Sequence, residues 1–225
     1  MSISVMVAAP FALFTRPELK VERYSYSVMT PSAARGILEA IYWHPGIRWE
    51  IESIRVCNPI RFISVKRNEV SAKASSDLAL GEMKLGAGHF TLDPDNCRQP
   101  RHSLILRDVR YIICAHFVFT KKARKGHTAE KTYAIVSRRL TRGQCFKQPY
   151  LGCREFTCSF RPINPIEAKA FPCPKELEGE TELGLMLYDL DFSASGDVNP
   201  MLFKAKLVNG ILTVPSLNSS EVIKC

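Results

Sequence analysis

The sequence predicts an α+β fold in which a ferredoxin-like domain is followed by an added antiparallel sheet. Up to residue 160, strand-like and helix-like segments follow one another in the order strand, helix, strand, strand, helix, strand, which is the split βαβ order. An Asn-Gly pair at residues 209–210 then lies between two apolar runs, a strong signal for a hairpin. We expect residues 1–160 to form the first domain, with an insertion near residues 66–103. Residues 161–225 are expected to form a second, smaller sheet packed on it.

Composition and charge limit the kind of protein this is. The chain has 225 residues, 46% of them hydrophobic, which suits a globular protein with a sizeable core. Lysine and arginine number 31 against 22 acidic residues, a formal charge of +9. Such an excess favours a polyanionic partner, nucleic acid before an anionic membrane. The alternative is a basic protein with no such partner.

Cysteine spacing and the apolar N-terminal run indicate the compartment. The chain has 8 cysteines and no CxxC pair, which argues against a zinc site and favours reduced thiols, some of them in the core. The stretch "SISVMVAAPFALF" has no basic residue before Arg16, so it indicates a strand rather than a signal peptide. No apolar run approaches the ~20 residues of a membrane span. We expect a cytoplasmic protein with no membrane partner, metal or cofactor.

Residue types, together with residues that cap or end a helix, predict the first elements. "ISVMVAA" is rich in β-branched residues and predicts a buried strand. "TPSAARGILEAIYWHP" predicts a helix, because Thr30 can cap it, Pro31 suits the first helical position and Pro45 ends it. "IRWEIESIRVCNPIRF" alternates as a strand does, and residues 66–103 are polar and irregular, as an exposed insertion would be.

The later elements follow the same signals. "SLILRDVRYIICAHFVFT" carries the strongest strand signal, and we expect a bend at Asp108. A helix is predicted over residues 128–142, with Gly143 as its stop. Its expected apolar face carries Ala129, Tyr133, Val136 and Leu140. Its opposite face carries Lys131, Arg138 and Arg142. After a connection at residues 161–182, "LGLMLYDLDF" and "PMLFKAKLVNGILTVP" predict the C-terminal strands.

The sequence lacks the motifs of several common hydrolase chemistries. There is no GxxxxGK[ST], HExxH or GxSxG, and no acidic cluster of the kind that holds two magnesium ions. A nuclease of this kind would act on RNA without metal, because the 2′-hydroxyl can attack the neighbouring phosphate and leave a cyclic phosphate. The protein must then remove one proton, donate another and stabilise negative charge, which tyrosine, histidine and lysine can do.

Four side chains near the two helices are candidates for that chemistry. Tyr42 lies beside the apolar stripe of the first helix, and Trp43 is expected in the core. His44 follows at the helix end, where a cation suits the dipole. His127 lies in the basic loop before the second helix. Lys131 points away from the core, toward solvent or a ligand.

Several long strings together resemble one known family. They are "FTRPELKVER", "MTPSAARGILEAIYW", "KRNEV", "RRLTRGQCFKQPYLGCREF" and "FKAKLVNGILTVP". They resemble CRISPR-associated (Cas) family five, variant d, the subtype I-C subunit that processes CRISPR RNA. The resemblance runs from near the N-terminus to the C-terminal hairpin. It implies a ferredoxin-like (RNA-recognition-like) domain of the RAMP superfamily with an added C-terminal sheet.

The resemblance also implies an activity and partners. It implies a metal-independent endoribonuclease that cuts the repeat hairpin of precursor CRISPR RNA. The enzyme would then hold the 5′ handle inside the type I-C surveillance complex (Cascade). The implied partners are the precursor and mature CRISPR RNA and the other subunits of that complex, with double-stranded DNA as a further candidate.

The family's proposed catalytic group is a tyrosine at the end of the first helix and a Lys-His pair at the start of the second. Tyr42 matches the tyrosine and Lys131 the lysine, but Thr132 stands where the family usually has histidine. Threonine cannot act as a general acid or base near pH 7, whereas histidine, with a pKa of ~6.5, can. His127 is a candidate substitute, as is His44, where members often carry lysine.

The predicted RNA-binding residues are basic or amide side chains that could meet phosphates and base edges. They are Lys20, Arg23, Arg35, His44, Lys66, Arg67, Asn68, Arg138, Arg139, Arg142 and Arg154. Two rival functions stay open. One is a non-catalytic RNA-binding assembly subunit of the same complex, which Thr132 favours. The other is a general duplex binder, whose affinity would fall steeply with salt without preference for the repeat.

Overall fold

The computed structural model describes residues 2–19, 21–86, 88, 91, 93–124, 126, 128–192 and 198–224. The strands are β1 (Ile3–Ala12), β2 (Arg23–Tyr24), β3 (Ile47–Val56), β4 (Phe62–Val70), β5 (Arg98–Phe119), β6 (Ser159–Pro162), β7 (Glu180–Phe192), β8 (Val198–Val208), β9 (Ile211–Thr213) and β10 (Val222–Lys224). The α-helices are α1 (Pro31–Ile41), α2 (Ser76–Leu85), α3 (Pro94–Cys97), α4 (Ala129–Arg142) and α5 (Pro165–Ala170), and a short 3₁₀ helix spans Lys175–Leu177.

One sheet connects these strands. Over the described ranges it has ten strands, in the order β10-β8-β9-β3-β5-β1-β6, with β2 and β4 paired to β5 and β7 paired to β8. β5 is antiparallel to both β1 and β3, and β1 is antiparallel to β6. Apolar residues of α1 and α4 pack with those of β1, β3 and β5 in one core. The fold is therefore mixed α and β, built on a large antiparallel sheet.

The C-terminal strands differ from the sequence-based expectation in one respect. They are antiparallel and include the predicted turn at Asn209 and Gly210, where Asn209 has a φ of 49° and Gly210 one of 72°. They do not form a separate sheet, because β9 pairs with β3 from Ser53↔Thr213 to Arg55↔Ile211. The turn itself joins this edge, since the N–H of Val56 donates to the carbonyl of Gly210 at 2.8 Å.

The predicted insertion is exposed, but it is not irregular. β4 pairs with the first half of β5 from Phe62↔Leu106 to Val70↔Arg98, so the segment is a long hairpin whose connection carries α2 and α3. The strand was hidden in the sequence because its alternate faces are half-buried and exposed, and polar residues occupy both. The predicted irregularity in β5 lies at Asp108, whose φ of 53° is in the left-handed region.

The two predicted helices are present with their predicted caps. Thr30 Oγ1 accepts the N–H of Ala33 at 3.3 Å, and Pro31 opens α1. Besides Pro31, α1 buries the predicted apolar stripe, Ala34, Ile37, Leu38 and Ile41. Thr128 caps α4 and Gly143, with a φ of 64°, ends it. None of the helices in the described ranges is both long and apolar enough to cross a membrane.

Candidate functional site

Tyr42 ends α1 and is held at several points. Its N–H donates to the carbonyl of Leu38 at 2.8 Å, and its own carbonyl accepts the indole N–H of Trp49 at 3.0 Å. Its half-buried ring packs on the core, and the Cζ atom of Arg139 lies 5.2 Å from the ring centroid. The phenol is therefore fixed at the junction of α1 and α4, beside a permanent cation.

The last carbonyls of α1 are satisfied by the end of α4 and the loop after it. Arg139 Nη1 donates to the carbonyl of Ile41 at 2.6 Å. The N–H groups of Phe146 and Lys147 donate to the carbonyl of Ala40 at 2.9 and 3.1 Å. Cationic and N–H donors suit this end of a helix because its carbonyls carry partial negative charge. These bonds join α1 and α4 into one rigid corner.

Lys131 lies in the first turn of α4 and is exposed. Its N–H donates to Thr128 Oγ1 at 3.3 Å, so the cap fixes its backbone while its side chain is free to meet a ligand. Next to it, hydrogen bonds from its own backbone N–H and from the Thr128 side chain lower the pKa of the Glu130 carboxyl. Lys131 precedes Arg139 by eight residues, about 12 Å along the helix axis. Where the structure is described, no hydrogen bond or ion pair joins Lys131 to Tyr42.

Thr132 does not lie on the exposed face with Lys131. Only 5% of its surface is exposed, and with Val136 and Leu140 it forms the buried face of α4. The sequence placed Tyr133 on the apolar face, and Tyr133 is half-buried and packs against the same core. A polar residue in an apolar stripe is easily assigned to the wrong face, because periodicity is read from apolar residues.

Of the two histidine candidates, His44 is among the described residues and His127 is not. His44 Nδ1 accepts the N–H of Gly46 at 2.9 Å, which ties the imidazole to the turn after α1. His127, together with the RNA-binding candidate Lys20, lies outside the described residues. Among the described residues, no three His, Cys, Asp or Glu side chains are placed to share a metal ion.

Three of the predicted RNA-binding arginines have acidic partners. Arg35 donates to Asp189 at 2.7 Å and lies 3.7 Å from Glu39, so it joins α1 to β7. Burial raises the pKa of the Glu39 carboxyl, while Arg35 acts to lower it. Arg23 lies 3.3 Å from Glu69.

Arg67 is the third of these arginines. It pairs with Glu155 and donates to the hydroxyl of Ser103 at 3.3 Å. Its Nε and those of Arg35 and Arg101 are buried without a hydrogen-bond partner among the described residues, although Arg101 Nε lies 4.0 Å from a Glu69 carboxylate oxygen. These guanidinium groups hold elements together in the free protein, and RNA would have to compete with their carboxylates.

The remaining predicted RNA contacts face solvent or the corner already described. Those exposed are Lys66, Asn68, Arg138, Arg142 and Arg154. Lys66 and Asn68 lie on the exposed face of β4, whereas Arg67 between them faces the other way. Arg139 is half-buried against Tyr42. The structure therefore separates one motif, "KRNEV", into an outward-facing pair and an inward-facing ion pair.

Sequence reasoning missed three residues beside Tyr42. Trp43, expected in the core, has 61% of its surface exposed, and the buried tryptophan is Trp49, at 3%. Phe146 is 76% exposed, with Lys147 Nζ 5.9 Å from its ring centroid. A signal for Trp49 was present, since it alternates with Ile47 in a strand. No signal placed Phe146 near Tyr42, because the contact between α1 and the loop is long-range.

Sequence comparison identifies the family to which the chain belongs. The Cas_Cas5d family model, described as "CRISPR-associated protein (Cas_Cas5)", matches residues 2–215. The chain belongs to the Cas5d family. A relative from Mannheimia succiniciproducens, named CRISPR pre-crRNA endoribonuclease Cas5d, is 44% identical over 98% of this chain and 97% of its own. A relative of the same name from Thermus thermophilus is 34% identical over 99% of this chain and 95% of its own.

Solved structures share the fold of this Cas5d chain. One described as "Crystal Structure of CRISPR-associated Protein" matches with a TM-score of 0.71 and 23% identity, over 99% of this chain and 96% of the other. The protein SMU1763c from Streptococcus mutans, described as functionally uncharacterized, matches with a TM-score of 0.70 and 21% identity, over 99% and 97%. A chain of a CRISPR RNA-guided surveillance complex matches with a TM-score of 0.50 and 12% identity, over 100% and 90%.

Proposed function

We propose that this chain is an endoribonuclease that cuts the repeat hairpin of precursor CRISPR RNA. The observation that carries the proposal is the near full-length relationship to a protein named CRISPR pre-crRNA endoribonuclease Cas5d, at 44% identity. Two of the three residues that the resemblance implies are present in this chain. Tyr42 is fixed at the end of α1, and Lys131 is exposed at the start of α4. The enzyme would keep the 5′ handle and assemble with the other subunits of a type I-C surveillance complex in the cytoplasm.

The proposed reaction uses the RNA's own 2′-hydroxyl as nucleophile and needs no metal. The 2′-oxygen bonds to the adjacent phosphorus, the bond to the 5′-oxygen breaks, and the products are a 2′,3′-cyclic phosphate and a 5′-hydroxyl. Lys131 stabilises negative charge on the phosphate, and Tyr42 orients the RNA and exchanges a proton with it. Since Thr132 cannot carry a proton, His44 or His127 is proposed as the second proton carrier.

The same proposal includes the domain arrangement. We propose residues 1–160 as a ferredoxin-like unit of the RAMP superfamily and residues 161–225 as its C-terminal addition. The strand order β6-β1-β5-β3, with α1 between β1 and β3 in the chain and α4 between β5 and β6, supports this.

One observation favours a second function, that of an RNA-binding assembly subunit that does not cut RNA. Thr132 replaces the histidine usual in the family and is buried, so the family's dyad is incomplete here. A chain that binds the hairpin without cutting it would still serve as an assembly subunit. In either case RNA is the first partner, and double-stranded DNA a further one.

The experiment measures cleavage, in EDTA, of the CRISPR repeat hairpin RNA from the organism that encodes this protein. It compares the wild type with Lys131→Ala and Lys169→Ala. Lys169 is an exposed lysine on α5 and serves as the matched control. We expect one cut with a 2′,3′-cyclic phosphate end, lost in Lys131→Ala and kept in Lys169→Ala. Tight hairpin binding with no cut by the wild type would select the assembly subunit. His44→Ala or His127→Ala at the wild-type rate would remove that histidine from the mechanism.

A further inference from the structure

We propose that Trp43 and Phe146 are stacking planes for unpaired RNA bases next to Tyr42. The inference rests on the proposed function and extends it by assigning a binding site for single-stranded nucleotides. Neither residue belongs to the proposed catalytic group, and packing does not explain either of them. The indole that the fold buries is Trp49, which packs edge-on against Phe117 with ring centroids 5.6 Å apart. Trp43 and Phe146 are hereafter the aromatic pair.

The backbone that carries the aromatic pair is rigid. Trp43 lies between Tyr42, bonded at both its N–H and its carbonyl, and His44, whose carbonyl accepts the N–H of Ile47 at 3.0 Å. Phe146 is tied to the carbonyl of Ala40. Two large apolar side chains are thus held in water by well-ordered backbone. An aromatic plane held ready loses little conformational entropy when a base stacks on it.

The backbone of both residues of the aromatic pair lies at the end of α1, although Phe146 itself is in the loop after α4. Trp43 follows Tyr42 directly, and Phe146 is bonded to a residue two positions before Tyr42. An RNA strand whose scissile phosphate lies at Tyr42 therefore passes the aromatic pair with its neighbouring nucleotides. We propose that the bases there are unpaired, because a base inside a duplex already has both faces covered by its neighbours. The ligand is the single-stranded segment that flanks the repeat hairpin.

The charge around the aromatic pair favours RNA over a protein partner. Lys147 lies over the Phe146 ring, and the Arg139 guanidinium is bonded to the carbonyl of Ile41, two residues before Trp43. Aromatic planes among cations are typical of surfaces that bind single-stranded nucleic acid. The centre of a protein interface is instead depleted of charge. Phe192 provides the contrast, since it is 71% exposed but is preceded in β7 by Asp189 and Asp191.

Tryptophan fluorescence tests the stacking directly. The chain has 2 tryptophans, and the buried indole of Trp49 is shielded from ligands, so quenching by RNA reports Trp43. The probe is the repeat RNA with 2′-O-methyl groups, which removes the nucleophile and prevents cleavage. We expect its binding to quench the emission of the wild type, and a hairpin trimmed of its single-stranded flanks to leave the emission unchanged.

Variants complete the test. We expect Trp43→Leu and Phe146→Leu each to weaken binding of the flanked RNA about tenfold, the effect of losing one stacked base. Trp43→Phe, which keeps a plane, should bind as the wild type does, and Phe192→Leu is the matched control. RNA that binds without changing the emission of Trp43 would overturn stacking and leave the proposed function standing. Trp43→Leu that binds RNA normally but no longer assembles with other subunits would overturn it in favour of a protein interface. A wild type that binds no repeat RNA would overturn both.

Discussion

Arg139 covers the ring of Tyr42 and bonds to the residue before it. Its Cζ lies 5.2 Å from the ring centroid, and its Nη1 donates to the carbonyl of Ile41. One guanidinium thus closes the end of α1 and lies against the phenol that we propose for catalysis. An arginine that the sequence assigned to RNA binding is, in the free protein, a positioning residue for Tyr42.

Arg139→Leu tests that role. We expect the free energy of unfolding to fall by about 1–2 kcal/mol, because a charge-assisted bond to a helix-end carbonyl is lost. We also expect cleavage to slow about tenfold, since a displaced phenol costs orientation. Urea denaturation and single-turnover cleavage measure the two effects. Arg138→Leu, at the exposed neighbouring position, should change the free energy of unfolding by less than about 0.5 kcal/mol. Equal destabilisation by both variants would contradict the role of Arg139.

Thr132→Val tests whether the Thr132 side chain only packs in the core or its hydroxyl also takes part in the reaction. The side chain is buried beside Val136 and Leu140, so an apolar residue of similar size should fit. We expect the cleavage rate to stay within about twofold of the wild type and the free energy of unfolding within about 1 kcal/mol. Thr132→Asp should unfold the chain, because it buries a charge without a partner. A large loss of cleavage in a stably folded Thr132→Val would mean that the hydroxyl takes part in the reaction.

Arg35 and Asp189 are expected to couple α1 to β7 rather than to bind RNA. Both side chains are less than one-third exposed and their charged atoms are 2.7 Å apart. Arg35→Met should lower the free energy of unfolding by about 1–3 kcal/mol, because it leaves Asp189 partly buried and unpaired. A double-mutant cycle with Asp189→Asn should give a coupling of about 1 kcal/mol. RNA affinity should fall in Arg142→Met and not in Arg35→Met. The reverse result would assign Arg35 to the RNA.

Two buried thiols should make the fold sensitive to alkali. Burial raises the pKa of Cys57 to about 12 and that of Cys158 to about 12, from the ordinary thiol value of 9.0. Above pH 9 the unfolded chain loses these protons while the folded chain keeps them. Their contribution to stability is therefore complete below pH 9 and is lost as pH rises toward 12.

The alkaline loss should reach a slope of about 1.4 kcal/mol per pH unit for each thiol. Urea midpoints at pH 8, 9, 10 and 11 measure it. Cys158→Ala should reduce the slope, although it leaves a small cavity. Cys97→Ala, at a half-buried position on α3, is the control for the loss of a thiol as such. A stability that does not change up to pH 11 would contradict the burial of these two thiols.

Local signals in the sequence predicted the elements that carry the site. Thr30 with Pro31, and Thr128 with Gly143, mark helix ends by bonds between near neighbours, so both helices could be predicted. The catalytic candidates Tyr42 and Lys131 followed from those helices and from the resemblance. These assignments of roles stay predictions until the variants are measured.

Features that depend on distant segments could not be predicted in the same way. The exposure of Trp43 depends on where the chain turns after α1, and burial of Thr132 on which face of α4 meets the sheet. β4 has polar residues on both faces, so its strand is defined only by pairing with β5. Arg35 and Arg67 are of the residue type that commonly contacts RNA. The sequence does not show that Asp189 and Glu155 lie beside them, because only the fold brings these pairs together.

The junction of β9 with β3 has a consequence for synthesis of the chain. Ser53 pairs with Thr213, so one edge of β3 stays open until residues 211–213 have been made. An open strand edge can pair with another nascent chain, and such long-range pairing forms slowly. A message truncated just before codon 209 should therefore yield a product that aggregates, even though every proposed catalytic residue has been translated. We therefore expect β9 to protect this edge of β3, so that aggregation-free folding depends on a strand translated long after β3 itself.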